Sequence, residues 1–207
     1  MKNVKRYSAV LVLLLTAALL PARAQTDHAV EASPILFDLG VSYTAKVAQV
    51  SQQSNSKFVM NGAAFDGVWW LPLNGGSFTR LGVALEAGGE SASQIEPGVS
   101  LIEYNLVAGP RFQVWKAKGK GHQPSLYAQG LVGGVLATDA TFPTKPLGTT
   151  NRAKSLEVET GGGLNWPLTQ RLGVRVFEVD YVYTRLPNNA DRMQNDLRFS
   201  TGLTLHF

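Results

Sequence analysis

From Leu197 to the final residue the chain alternates in character at every step. Odd positions carry Leu197, Phe199, Thr201, Leu203, Leu205 and Phe207, and even positions carry Arg198, Ser200, Gly202, Thr204 and His206. A period of two is the signature of a β-strand with one apolar and one polar face. The same alternation recurs upstream. Ile35, Phe37, Leu39, Val41 and Tyr43 oppose Asp38, Gly40, Ser42 and Thr44, and over 59–71 Ala63, Phe65, Gly67, Trp69 and Leu71 oppose Ala64, Asp66, Val68 and Trp70. Near 78–87, Leu81, Val83 and Leu85 oppose Arg80, Gly82 and Glu86. Over 101–115, Ile102, Tyr104, Leu106, Phe112 and Val114 oppose Glu103, Asn105, Arg111 and Gln113. In 155–166, Leu156, Val158, Leu164 and Trp166 oppose Glu157, Glu159, Gly161 and Gly163. In 172–184, Phe177, Val179, Tyr181 and Tyr183 oppose Glu178 and Asp180. A further strand over 125–136 is apolar on both parities, so its faces stay open. The pattern predicts eight strands joined alternately by turns (72–76, 116–122, 167–170) and by longer loops at 47–58, 88–100, 138–153 and 185–196. Two positions break the rule. Pro110 removes a ladder donor and predicts a bulge or local break. Arg175 falls on the apolar parity and predicts a bulge or a side chain reaching an interface.

The other end of the chain reads as an export signal. Lys2, Lys5 and Arg6 precede an apolar run from Ala9 to Leu20, and Ala22-Arg23-Ala24 is a small-x-small cleavage pattern. The expected organisation is a signal peptide at 1–24, a periplasmic lead-in at 25–34 and one β domain at 35–207. The formal charge of +4 comes from the signal segment, which holds four basic residues and no acid, and this leaves 15 basic against 15 acidic residues. The basic isoelectric point is therefore no argument for nucleic acid, and none is expected as a partner. Cysteine is absent from an exported chain, so stability must come from elsewhere, and a closed hydrogen-bonded sheet supplies it.

Soluble barrels turn the apolar face inward and membrane barrels turn it outward, and alternation alone does not choose. The aromatic residues do. Trp69, Trp115 and Trp166 stand at strand ends beside the short turns, and Tyr43, Tyr104 and Tyr181 stand toward the long loops. Two such bands suit the interfacial girdles of a membrane barrel. The polar faces carry Asp38, Asp66, Arg80, Glu86, Glu103, Arg111, Glu157, Glu159, Glu178, Asp180 and Arg198, which in that orientation form a lumenal charge network. Arg198 is expected near Glu178 or Asp180, and Arg80 with Arg111 near Asp66 and Glu103. The expected fold class is all-β, an eight-stranded antiparallel up-and-down transmembrane β-barrel.

Gly109-Pro110-Arg111, Gly161-Gly162-Gly163-Leu164, Arg175 with Val179-Asp180-Tyr181, and the aromatic-terminated last strand resemble the OmpA-like outer-membrane β-barrel domain. The resemblance runs over nearly the whole mature chain. It implies location in the outer membrane of a Gram-negative-type envelope, contact with outer-membrane lipid, and a monomer. It also implies that Phe207 is part of the signal read by the outer-membrane assembly machinery. OmpA-type proteins often carry a C-terminal peptidoglycan-binding domain. This chain resembles the barrel-only members, and no cell-wall tethering is expected of it.

Chemistry-bearing motifs are sparse. His28, His122 and His206 lack ligand spacing, so no metal site is expected, and no cofactor or catalytic residue. His206 faces inward near the turn end, where pairing with Asp38 is the plain reading. Gly75-Gly76 and Gly161–Gly163 lack the Lys-Ser/Thr continuation of a phosphate loop. Lys116, Lys118 and Lys120 read as a solvated turn, with contact to anionic lipid headgroups as the alternative. The expected function is a non-enzymatic envelope protein, with surface loops as the place for adhesion or recognition of a ligand the sequence does not identify. The rivals are a small cation-favouring pore, a lipid-modifying barrel enzyme and a periplasmic lipocalin-like carrier.

Overall fold

Strands of alternating character satisfy their backbone only by pairing, and eight of them can close on themselves without leaving an edge. The chain does this. In a computed structural model describing residues 36–51, 54–71, 80–96, 99–117, 122–144, 148–187 and 193–207, all within the unit Pro34–Phe207, the strands form one closed antiparallel barrel. They are β1 (Phe37–Ser51), β2 (Ser54–Trp70), β3 (Arg80–Glu96), β4 (Val99–Lys116), β5 (Ser125–Thr144), β6 (Gly148–Pro167), β7 (Leu172–Thr184) and β8 (Gln194–His206). The segment 1–24 read as a signal peptide, the whole of the lead-in at 25–34, the turn at 72–76, and Lys118 and Lys120 lie outside the described residues. Closure is made by β1 and β8, from Asp38↔His206 to Val47↔Leu197. Phe207 completes it: its N–H donates to the Phe37 carbonyl at 2.9 Å, and its own carbonyl accepts from Leu36 at 3.0 Å.

The register fixes the tilt. From Lys46 the partners run through Arg198, Asp180, Gly161, Gln129, Arg111 and Gly82 to Trp70. The Trp70 N–H then donates to the Leu36 carbonyl at 2.9 Å. One circuit thus returns to β1 at residue 36 after leaving it at 46, a stagger of ten residues. Eight strands with that stagger tilt by roughly 45°, and the interior is just wide enough for side chains to fill.

Three hairpins are longer than the sequence pattern predicts. Stretches 88–100 and 138–153 are strand for most of their length, and β1 and β2 take up most of 47–58. β5 and β6 have 20 residues each, against the 9–11 that cross a bilayer. The exposed residues of the surplus are polar, among them Thr149, Asn151, Arg152 and Lys154, while its apolar residues Phe142 and Ala153 are buried. Alternation therefore cannot reveal it, although the backbone ladder continues.

The two rule-breaking positions have different outcomes. β4 runs through Pro110 in an unbroken register, Ala108↔Val132 and Arg111↔Gln129, and Pro110 itself pairs with Val83. The register shift lies further on, between Gln113 and Trp115. It turns Trp115, which shares parity with Arg111, onto the outward face. At Arg175 a bulge does occur. Val176 and Phe177 both face outward while Arg175 turns in, and the Thr201 hydroxyl donates to the freed Arg175 and Val176 carbonyls at 3.0 and 3.2 Å.

Candidate functional site

The inward side chains are stacked in layers. At the turn end Asp38 accepts from Trp70 Nε1 at 2.7 Å and lies 2.8 Å from His206 Nδ1, and the Arg80 guanidinium stands 5.2 Å over the Trp70 ring. Val68, Trp70, Ala84, Val107 and Leu131 form a small apolar cluster on the wall above. β5 could not be assigned a face from sequence because its inward residues, Leu131 and Val135 among them, belong to the apolar lining of the lumen.

The first charged layer is built on Asp66. Arg175 grips it with two bonds of 2.9 Å, and Arg111 adds a third of 2.9 Å. Gly40 makes room, since a Cβ there would lie 2.2 Å from Asp66 Oδ1. Glu178 takes the other side of both arginines, at 3.8 Å from Arg111 and 3.5 Å from Arg175, and accepts a hydrogen bond from the Tyr127 hydroxyl. The Tyr127 ring lies 4.6 Å from the Arg111 guanidinium. This layer balances two guanidinium groups against two carboxylates.

The second layer centres on Arg198. Its Nη2 reaches Glu86 at 2.6 Å, Glu159 at 2.7 Å and Asp180 at 3.3 Å. Gln129 links the first two layers by donating to Asp180 at 3.0 Å while accepting from Arg111 Nε at 2.8 Å. Gly161 permits the close passage here, since a Cβ would lie 2.2 Å from the Val179 carbonyl. In the third layer Lys46 pairs with Glu90 at 2.7 Å and with Glu103. Asn105 donates to Glu159 at 3.1 Å and to Glu157 at 3.4 Å. Each upper layer has one cation for several carboxylates. Arg111, Arg175, Arg198, Glu86, Glu157, Glu159 and Glu178 are all at or below 2% exposed, so side chains occupy the middle of the lumen. Beyond them Val135, Ala137, Phe142, Ala153 and Leu186, with Leu101 and Ala140 against them, pack into an apolar cluster at the loop end of β5 and β6.

The outward faces are apolar from Trp69 (64% exposed) to Phe207 (63%). Once the stagger is allowed for, Trp69, Trp115 and Trp166 fall within about two residues of one height, and Tyr43, Tyr104 and Tyr181 within about four. The two bands are roughly 20 Å apart along the axis, close to the height of the apolar zone of a membrane barrel. Tyr43 and Tyr181 each donate from the ring hydroxyl to an outward asparagine of the adjoining strand, Asn61 at 2.6 Å and Asn195 respectively.

The backbone is similar to the crystal structure of Neisserial surface protein A, with a TM-score of 0.53 and 12% identity, covering 83% of this chain and 97% of that one. The fold is that of the eight-stranded outer-membrane barrels. Weaker similarity is found to the crystal structures of Ail, the attachment invasion locus protein of Yersinia pestis, and of the N-terminal barrel domain of Pseudomonas aeruginosa OprF. Ail has a TM-score of 0.47 and 12% identity over 84% of this chain and 99% of that one. The OprF domain has 0.36 and 13% over 82% and 97%. No protein-family model and no curated protein sequence matches the chain.

Within this outer-membrane barrel fold the pairings differ from the sequence reading at two points. Glu103 meets Lys46 rather than Arg80 or Arg111, because on the tilted β4 it stands eight residues nearer the loops than Arg111. Arg80 lies at the turn-end mouth, above Trp70, and not beside Asp66. Arg198 meets Asp180, while Glu178 is taken by the lower arginines. Three charged participants escaped the sequence reading. Lys46 continues the inward parity of Asp38 to Thr44 just past the predicted strand end, and Glu90 lies in a stretch read as loop. Arg175 announced itself only as a parity error.

Proposed function

We propose that the chain is a non-enzymatic outer-membrane protein, a closed barrel that adds to envelope integrity and carries three long hairpins into the exterior. The observation that carries this reading is the orientation of the faces. Apolar residues bounded by a tryptophan band and a tyrosine band point outward, and the charges point into a filled lumen. In water that belt would expose far more contiguous apolar surface than a soluble monomer tolerates, whereas in lipid it is the expected surface. In this reading the turn end faces the periplasm, Trp69, Trp115, Trp166, Tyr43, Tyr104 and Tyr181 sit at the headgroup levels, and Phe207 is read by the assembly machinery. The hairpins of β1–β2, β3–β4 and β5–β6 are where a partner outside the cell would be met.

A pore is disfavoured by the side chains that occupy the middle of the lumen. A lipid-modifying enzyme would need a nucleophile open to substrate. Thr204 Oγ1 is 3.4 Å from His206 Nε2, and His206 contacts Asp38, but Thr204 is only 2% exposed, so no carbonyl can approach it. A lipocalin-like carrier would require the apolar faces inside. Membrane fractionation tests the reading: the mature protein is expected with outer-membrane lipid, and deletion of Phe207 is expected to lower that amount far more than Phe207→Tyr. Recovery of the intact protein in the soluble periplasmic fraction would overturn it.

A further inference from the structure

The outward wall changes character abruptly where β6 outlasts β7. Pairing between them ends at Glu157↔Thr184, while β6 continues with β5 to Gly148. On the outward side of this step stand three exposed cations, Arg152 and Lys154 on β6 and Arg185 just past β7. Two residues apart on one strand, Arg152 and Lys154 project from the same face about 7 Å from one another. Arg185 is fixed beside them: its N–H donates to Ser155 Oγ at 2.7 Å, and its Nε donates to the Tyr183 hydroxyl at 3.2 Å. The exposed acid nearest in register, Asp139, follows Thr138, the partner of Arg152, and is in no ion pair among the described residues. The described ion pairs all lie inside the barrel and leave these three cations out.

Height decides what such a cluster meets. With the stagger included, the three cations stand roughly 5–10 Å above Tyr104 and Tyr183, on the loop side of the tyrosine band. That is the level of lipid phosphates when the tyrosines mark the headgroup boundary. A lone exposed lysine at such a height is a solvated side chain. Three cations on one tethered strand pair, with apolar Leu156 (50% exposed) directly below them, offer a phosphate-bearing lipid both of its contacts at once.

We propose that the outward face of β6 and β7, through Arg152, Lys154 and Arg185, is a binding site for the phosphate groups of an anionic lipid in the outer leaflet, with Leu156 and Tyr181 against its acyl chains. The site rests on the membrane reading given above. Its test uses the folded chain in nanodiscs of phosphatidylcholine containing a minor fraction of phosphatidylglycerol, with native mass spectrometry counting the lipid each barrel retains. The wild-type barrel should keep phosphatidylglycerol in strong preference to phosphatidylcholine. The triple variant R152Q/K154Q/R185Q should lose that preference on the order of a hundredfold, about fivefold per cation. K116Q, an exposed cation at the turn end, should change it by no more than about fivefold. Equal retention by the wild type and the triple variant would overturn the proposal. Displacement of the lipid by inorganic phosphate at comparable concentration would overturn its assignment to a lipid. Failure of the folded barrel to enter the nanodiscs, seen as its elution apart from lipid in size-exclusion chromatography, would instead overturn the membrane reading.

Discussion

The lower and upper halves of the lumen are charged in different ways. Around Asp66 two guanidinium groups face two carboxylates, and each acid touches both arginines. Around Arg198 a single guanidinium is shared by three carboxylates, and above it Lys46 serves two. The lower layer is redundant, because any one cation can be removed and every acid keeps a partner. The upper layers are not. A buried carboxylate without a counter-charge carries a penalty that far exceeds what an exposed ion pair contributes. The same number of arginines per layer would not give the same mechanical result; what matters is how many acids depend on each one.

The comparison orders the expected costs. Arg198→Met should be the most damaging, since it strands Glu86, Glu159 and Asp180 together; about 3–5 kcal/mol of unfolding free energy should be lost in urea titrations of the vesicle-inserted protein followed by tryptophan fluorescence. Lys46→Met should cost about 3 kcal/mol in the same titration. It leaves two acids unmatched rather than three, and these are 5–7% exposed, nearer to solvent than the Arg198 layer. Arg111→Met should cost only about 1–3 kcal/mol, because Arg175 still holds both Asp66 oxygens. If Arg111→Met proved as costly as Arg198→Met, the idea of a redundant lower layer would fail.

How much of this was legible in the sequence follows from where alternation has physical meaning. Between the tryptophan and tyrosine bands one face is apolar and outward and the other lines the lumen, so residues such as Trp69 and Trp70 declare opposite sides by parity alone. Beyond them the exposed residues are polar, and the continuation of β5 and β6 to Thr144 and Gly148 keeps Phe142 and Ala153 buried, with no outward apolar stripe to alternate against. Parity also fails at bulges. Trp115 and Arg175 each sit on the parity opposite to their true face, because one inserted residue reverses every side chain after it. The charge partners were the least legible. Which acid meets which cation depends on the stagger of ten residues around the circuit, a property of pairing that no single strand records. Glu103 is the plain example, placed beside Lys46 by three intervening ladders.

The central claim is that side chains fill the middle of the barrel, where the charged layers around Asp66 and Arg198 are buried. Planar-bilayer current recording of the folded wild-type protein tests it most directly. The filled lumen predicts a flat baseline with no steady open level, and where Arg198→Met loosens the upper layers, only brief openings that favour cations. A steady, large and anion-selective conductance from the wild-type barrel would contradict both the filling and the sign of the charge inside it.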